Sequence, residues 1–481
     1  MCAYHKVDFI QPITKEYNVA GISSKMSKEC LNTFFLKLRD KLILKKRPGL
    51  IKRGEVSGVT TVVTGGYYWS TPTQNKIIWI SGNVVSYMDN TNTITQISTD
   101  IDIDLIERCY FASNEKYVAF VNGKYLFYTD GISVLSKVTT DIDIDIPVHI
   151  THIDELDGYL ILLESGQGQF WWMDFIGTDT PTSIYSGAWA TAEYKNDPII
   201  AMTVFHSEIV LFGTQSIEFW ASDGVSPFSR INGKTMVFGI LSKHAFCKSL
   251  ETLFFIDNYF HLVAYNNNQR VDLSGDIISD FYHISIWEDT KLSYFNFNGQ
   301  EFIDIHFPSE QRTIIYHINS GTWHEWTQYN VATAIDREML VSEFVMSWNK
   351  IYAGASNSGS IYQLDDTTYK DDTKYIHFSY KTGNIDYDTS LTKQSNGLMI
   401  QMIRGIYSIV GSLLLRWKND NVNSYSNDLQ LRSGNLGDTN NIVKFNGGTG
   451  IYRNREWHFH TVDDIPIEIS NMEEDVILLN Y

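Results

Sequence analysis

Apolar residues in this chain fall in short runs that turn back on themselves. Residues 76–89 (KIIWISGNVVSYMD) read as an apolar strand, a Gly-containing turn and an alternating strand, the pattern of a β-hairpin. Laid over residues 117–130 (YVAFVNGKYLFYTD), they align Gly82 with Gly123, Tyr87 with Tyr128 and Asp89 with Asp130, each 41 positions apart. The same offset carries TDIDID at 99–104 onto 140–145. Looser copies follow at 159–174, 209–220, 253–265, 301–317 and 350–364, turning near Gly166, at Gly213, at Asp257 and Asn258, at 308–312 and at 356–359. Seven hairpins thus recur at intervals of about 41 to 52 residues. A small sheet of that size cannot bury both its faces alone, and a ring of such sheets solves the problem. The spacing predicts a β-propeller over 56–370 with six to eight blades, seven being preferred.

The pattern changes beyond about residue 370. Alternating segments at 398–407, 413–417, 451–461 and 465–469 are separated by polar loops, which predicts a C-terminal antiparallel β-sandwich over 371–481. Residues 1–55 read as an N-terminal extension that packs with the C-terminal domain as a docking platform. Its segment 25–46 has a Leu and Phe spacing that allows a helix or two strands. Strands are the expectation here, with a stop at Arg47, Pro48 and Gly49.

Composition supports an all-β reading: 14% of residues are aromatic and 43% hydrophobic, which suits half-buried pleated surfaces. Cys2, Cys30, Cys109 and Cys247 are too dispersed for a disulfide framework or a zinc site and are expected as free thiols. No signal peptide is read at the N-terminus, and the longest apolar stretch, around 409–415, is far short of the ~20 residues a membrane span needs. Synthesis in a cytoplasm is therefore expected. The net charge of −18 argues against tight wrapping of duplex DNA. Against that acidic background, residues 25–53 hold ten Lys and Arg beside Glu29 and Asp40.

Candidate chemistry is sparse. The Asp-Ile-Asp runs place Asp100, Asp102 and Asp104, and Asp141, Asp143 and Asp145, on one strand face each, but they lack the Gly of a calcium loop. A wet acidic strand face is the simpler reading. His149 with His152, and His458 with His460, could each supply two metal ligands, and neither pair has a third at motif spacing. No nucleophile elbow, ordered triad, P-loop or dinucleotide fingerprint is present. A propeller glycosidase or carbohydrate-binding protein acting at a host surface remains the alternative. Asn319 to Trp323 nearly matches an Asp-box, and Glu325 stands among aromatics. No catalytic residue, cofactor or metal is expected.

Several segments, taken in order, resemble the packaged-DNA stabilisation family (tail nozzle, hub or tail accessory factor) of short-tailed bacteriophages. They are CLNTF at 30–34 with RPGLIKR at 47–53, IVLFGTQSIEFW at 209–220, the stretch from Gly299 through Phe307 to Trp323, and IYRNR at 451–455. Tyr316 and His317 depart from the family's usual Tyr-Asp, and the acidic double repeat is a further departure. The Tyr316–Trp323 stretch is also similar to kelch hairpins, in which a Trp packs between blades.

The resemblance implies a non-enzymatic virion protein of the tail, assembled in the host bacterial cytoplasm as a ring, in all expectation a homohexamer. Such a ring would sit below the portal and its adaptor, extend the DNA channel, retain packaged dsDNA and anchor needle, spike or fibre proteins. Within that picture the six Asp of the acidic runs either line the channel, where they would repel phosphates, or face outside solvent. The basic residues Lys37, Arg39, Lys41, Lys45, Lys46, Arg47, Lys52 and Arg53 are the candidates for docking to the adaptor ring.

Overall fold

The computed structural model describes residues 3–6, 28–39, 41–56, 61–98, 107–135, 149–177, 187–192, 194–222, 227–405, 411–420 and 422–479. Each predicted hairpin is present as the middle pair of a four-strand antiparallel blade; five blades are separate four-stranded sheets, and those of the last two hairpins continue into further strands. Blade 1 runs Val63–Ser70, Asn75–Ser81, Val84–Met88 and Ile94–Ser98. Blades 2 to 6 repeat this order over residues 110–135, 152–191, 199–230, 246–272 and 291–325. Blade 7 takes three strands from Val341–Ser347, Lys350–Ala355 and Ser360–Asp365.

Its fourth strand is Gly49–Glu55, paired antiparallel from Gly49 against Asp365 to Glu55 against Ser360. The propeller therefore has seven blades among the described residues, closed by a strand the sequence reading had placed in the N-terminal extension. Closure by a distant strand replaces the turn that would otherwise have to complete the seventh sheet. Its entry is tight: a Cβ at Gly49 would strike the carbonyl oxygens of Lys370 and Thr368.

The apolar faces are buried between neighbours. Separate clusters fill the spaces between blades 1 and 2 (Trp69, Phe120, Phe127), 2 and 3 (Leu126, Leu160, Trp171), 3 and 4 (Phe170, Leu211, Trp220), 6 and 7 (Phe295, Trp326, Leu364) and 7 and 1 (Trp79, Tyr352). Each blade is thus stabilised by the next, at roughly 25 cal/mol per Å² of apolar area removed from water. Trp323 lies in register opposite Tyr316, with ring centroids 4.7 Å apart, and also meets Phe281 edge-on at 5.7 Å.

Residues 29–46 are strands: Glu29–Leu31, Thr33–Leu38 and Lys41–Lys46. Together with the C-terminal strands they form two facing sheets. One sheet orders Thr33–Leu38, Lys41–Lys46, Glu468–Leu479, Thr392–Met402 and Ile442–Phe445. The other is continuous with blade 6, because Glu29–Leu31 runs parallel to the outer strand Thr322–Glu325 and antiparallel to Phe378–Lys381. One apolar cluster runs from blades 4 to 6 into the sandwich, through Phe378, Tyr380, Trp457 and Phe459. The sandwich is welded to the ring rather than tethered to it.

Candidate interaction surfaces and the propeller shaft

The residues singled out in the sequence separate in three dimensions. The acidic six, Asp100, Asp102, Asp104, Asp141, Asp143 and Asp145, lie outside the described residues. Lys37, Arg39 and Lys41 sit at the exposed tip of the hairpin made by Thr33–Leu38 and Lys41–Lys46, beside Leu38, which is 53% exposed. Lys45 pairs with Glu468 at 3.1 Å, Lys52 is bonded to Glu55, and Arg53 donates to Gln363 at 2.9 Å.

The expectation of a docking role is corrected for Lys46 and Arg47, which are interior. Lys46 donates to the Asp463 carbonyl at 2.7 Å, and burial, with Arg47 next to it, pushes its pKa down to about 7. The guanidinium of Arg47 is fully buried and uses all five of its donors. It grips both carboxylate oxygens of Asp371 at 2.8 and 2.6 Å, Asn32 Oδ1 at 2.7 Å, and the carbonyls of Thr327 at 2.8 Å and Pro48 at 3.1 Å. This charge ties the N-terminal strands to the propeller and cannot serve a partner.

The first strand of each blade faces the propeller axis, and residues of all seven line a cavity of about 450 Å³ there. It is no bore. Arg108, two residues ahead of the first strand of blade 2, reaches across to blades 6 and 7, donating to Glu343 at 3.1 Å, the Leu292 carbonyl at 2.7 Å and Ser293 Oγ at 3.1 Å. Tyr110 reaches blade 5, with its hydroxyl 2.9 Å from His244 Nδ1 and its ring stacked on Phe246 at 5.8 Å. Bonds between blades that are not neighbours must cross the axis.

His152 packs on Tyr110 at 4.4 Å and donates from Nε2 to the Lys243 carbonyl at 3.0 Å. Burial holds its imidazole neutral, with the pKa lowered to about 3, and holds His244 well below the usual range. Asp304 is buried near Glu343 and Arg108, and neither of its carboxylate oxygens has a hydrogen-bond partner. Desolvation and the Glu343 charge push its pKa well above the carboxylate range.

His149, the other member of the pair with His152, is exposed, whereas both histidines of the second pair are engaged. His458 receives Arg416 Nε at 3.0 Å and meets Ser379 Oγ at 2.8 Å, while His460 lies 3.1 Å from Asp428. Among the described residues no group of three His, Cys, Asp or Glu is placed to hold a metal ion. No helix among them is long and apolar enough to cross a membrane. The shaft residues Arg108, Tyr110, Glu343 and Asp304 escaped sequence reading. Tyr110, Glu343 and Asp304 are single residues on otherwise ordinary strands and Arg108 lies just ahead of one, and only the closure of the ring brings them together.

Residues 35–369 match the phage-stabilisation family described as bacteriophage P22 Gp10, β-propeller. No curated protein sequence matches the chain. Among solved structures, a streptogramin B lyase is similar at 9% identity and TM-score 0.43, covering 66% of this chain and 98% of that one. The WD40 β-propeller domain of Doa1 is similar at 10% identity and TM-score 0.42, covering 66% and 97%. YCF48 from Cyanidioschyzon merolae follows at 8% identity and TM-score 0.40, covering 66% and 98%. These three likenesses are too distant to bear on activity. The family match spans all seven blades together with most of the hairpin strands 33–46 that precede them, and on it the chain belongs to the packaged-DNA stabilisation family of bacteriophage P22 Gp10.

Proposed function

We propose that six copies of this chain form a ring in the tail of a short-tailed phage, a nozzle below the portal and adaptor. The ring extends the DNA passage, retains packaged dsDNA and anchors needle, spike or fibre proteins, with no catalytic step. The observation that carries the reading, beside family membership, is the closed shaft. With Arg108 and Tyr110 spanning the axis, a duplex has no route through one propeller. The passage in this reading is enclosed between copies, and the propeller serves as a rigid wall.

Charge is consistent with that use. Each copy carries −18, so a wall built from these surfaces repels phosphates and lets duplex slide rather than stick. The basic hairpin tip of Lys37, Arg39 and Lys41 is the local exception, and it fits an acidic face of the adaptor ring.

Light scattering of the purified chain with its adaptor, together with imaging of virion tails, tests the reading. A ring mass and a labelled nozzle are expected; a monomer that never joins the tail refutes it. Converting Lys37, Arg39 and Lys41 to Glu is expected to weaken adaptor binding and flatten its salt dependence. Unchanged affinity and salt slope would remove the tip from the interface.

A further inference from the structure

Blades 6, 7 and 1 enclose a cleft of about 670 Å³ at the end of the propeller where first strands turn into second strands. In blade 6 that turn is Asn298 and Gly299, between paired Phe297 and Gln300, with φ of 52° and 78°. Both central positions of such a two-residue turn need positive φ, which Asn, Asp and Gly accept most readily. Blade 7 places Trp348 and Asn349 in the same positions, at φ of 50° and 57°. A bulky aromatic residue is costly there, and the turn itself has no use for an indole.

The indole is nevertheless held firmly in place. Trp348 Nε1 donates to Asn75 Oδ1 at 2.7 Å, and the Tyr68 hydroxyl donates to the same oxygen at 2.9 Å. The Tyr68 and Trp348 rings meet edge-on at 5.7 Å, and Trp348 meets Tyr352 at 5.8 Å. Phe297 adds a third half-buried ring to the lining. Polar groups converge beside these rings: Asn298 donates to Asp366 at 3.0 Å at the rim. Within the lining, Ser347 is 5% exposed and its Oγ has no hydrogen-bond partner.

We infer that this cleft is a binding site for a short neutral oligosaccharide. Rigid aromatic faces take the C–H face of a sugar at little entropic cost, while amides and carboxylates satisfy hydroxyls that both donate and accept. The volume lies within the ~300–1,000 Å³ range of small-ligand sites. Asp365 and Asp366 outnumber Lys350 in the lining, so phosphates and acidic sugars are repelled. The inference stands independently of ring formation.

Saturation-transfer NMR of the full chain with maltotriose, cellotriose, chitotriose and mannotriose, and with sialyllactose as the anionic control, tests it. At least one neutral trisaccharide is expected to bind, with sialyllactose weaker. Trp348→Asn supplies a residue the turn prefers, which offsets part of the packing lost with the indole, so affinity is expected to fall at least tenfold while a cooperative thermal transition is kept. Asn298→Gly, at the exposed rim, keeps a residue that accepts the positive φ of 52° while removing the amide, is expected to lose affinity severalfold, and serves as a second variant. The inference is overturned if no neutral trisaccharide binds, if Trp348→Asn binds as well as the parent, or if sialyllactose is preferred.

Discussion

Arg47 offers the sharpest test of how the two halves of the molecule are joined. Replacing it with Ala strands the Asp371 carboxylate, which is 1% exposed and accepts from both terminal guanidinium nitrogens. It also removes a donor from the Thr327 and Pro48 carbonyls. Asn32 Oδ1 is less affected, because the Thr327 amide still donates to it at 2.7 Å. The dominant loss is an uncompensated buried charge, for which about 3–5 kcal/mol is expected. Arg47→Lys keeps the charge but offers three donors in place of a five-donor fork, and about half that loss is expected. Arg47→Met combined with Asp371→Leu removes both charges and should recover most of the stability. Equilibrium urea unfolding at pH 7, followed by tryptophan fluorescence, measures all three. If Arg47→Ala costs less than about 1 kcal/mol, or the double variant is no better than the single, the ion pair is not the joint described here.

Asp304→Asn is expected to stabilise the protein at pH 7. Desolvation and the Glu343 charge raise the native carboxyl's pKa well above its unfolded value, so the folded state loses stability, by up to about 1.4 kcal/mol per pH unit, as pH rises from the unfolded pKa towards the folded one. The advantage of Asn should vanish near pH 4, and a pH-independent difference would contradict this. Buried neutral histidines act in the opposite direction. His152, His317 and His458 have pKa values lowered to about 3, 4 and 2, and His244 and His324 lie well below the usual range. Below about pH 6.5 the unfolded chain binds protons the folded one refuses, so stability should fall on acidification between pH 6.5 and 4. A flat urea midpoint over that interval would refute it. Leu50→Ala, at a fully buried position on the closing strand, should cost about 2–5 kcal/mol, whereas Leu250→Ala at a turn 94% exposed should stay within about 0.5 kcal/mol. Equal urea midpoints for the two variants would argue against closure by Gly49–Glu55.

The repeat was legible in the sequence for a physical reason. The predicted hairpins are the two middle strands of each blade, packed on both faces by neighbouring sheets, so their apolar runs are long and their turns marked, as in Tyr159–Leu163 and Gln169–Asp174. Outer strands such as Gln269–Asp272 are exposed throughout and leave no hydrophobic signature. Strand character at 29–46 and the sandwich segments were legible by the same alternation. The charge of a residue was legible, but its place was not: Lys41 and Lys46 look alike in a basic stretch, yet one is exposed and the other 2% exposed.

Local pattern therefore determined which segments are strands and that they must stack in a ring. It could not determine which ends of the chain meet, because that depends on pairings between residues hundreds of positions apart. Gly49–Glu55 closing blade 7, Arg47 finding Asp371, Arg108 crossing the shaft and Trp348 facing Tyr68 are all of this kind. Hydrophobic periodicity records how each residue meets its own sheet, whereas these contacts arise only when the closed ring brings distant strands within bonding distance.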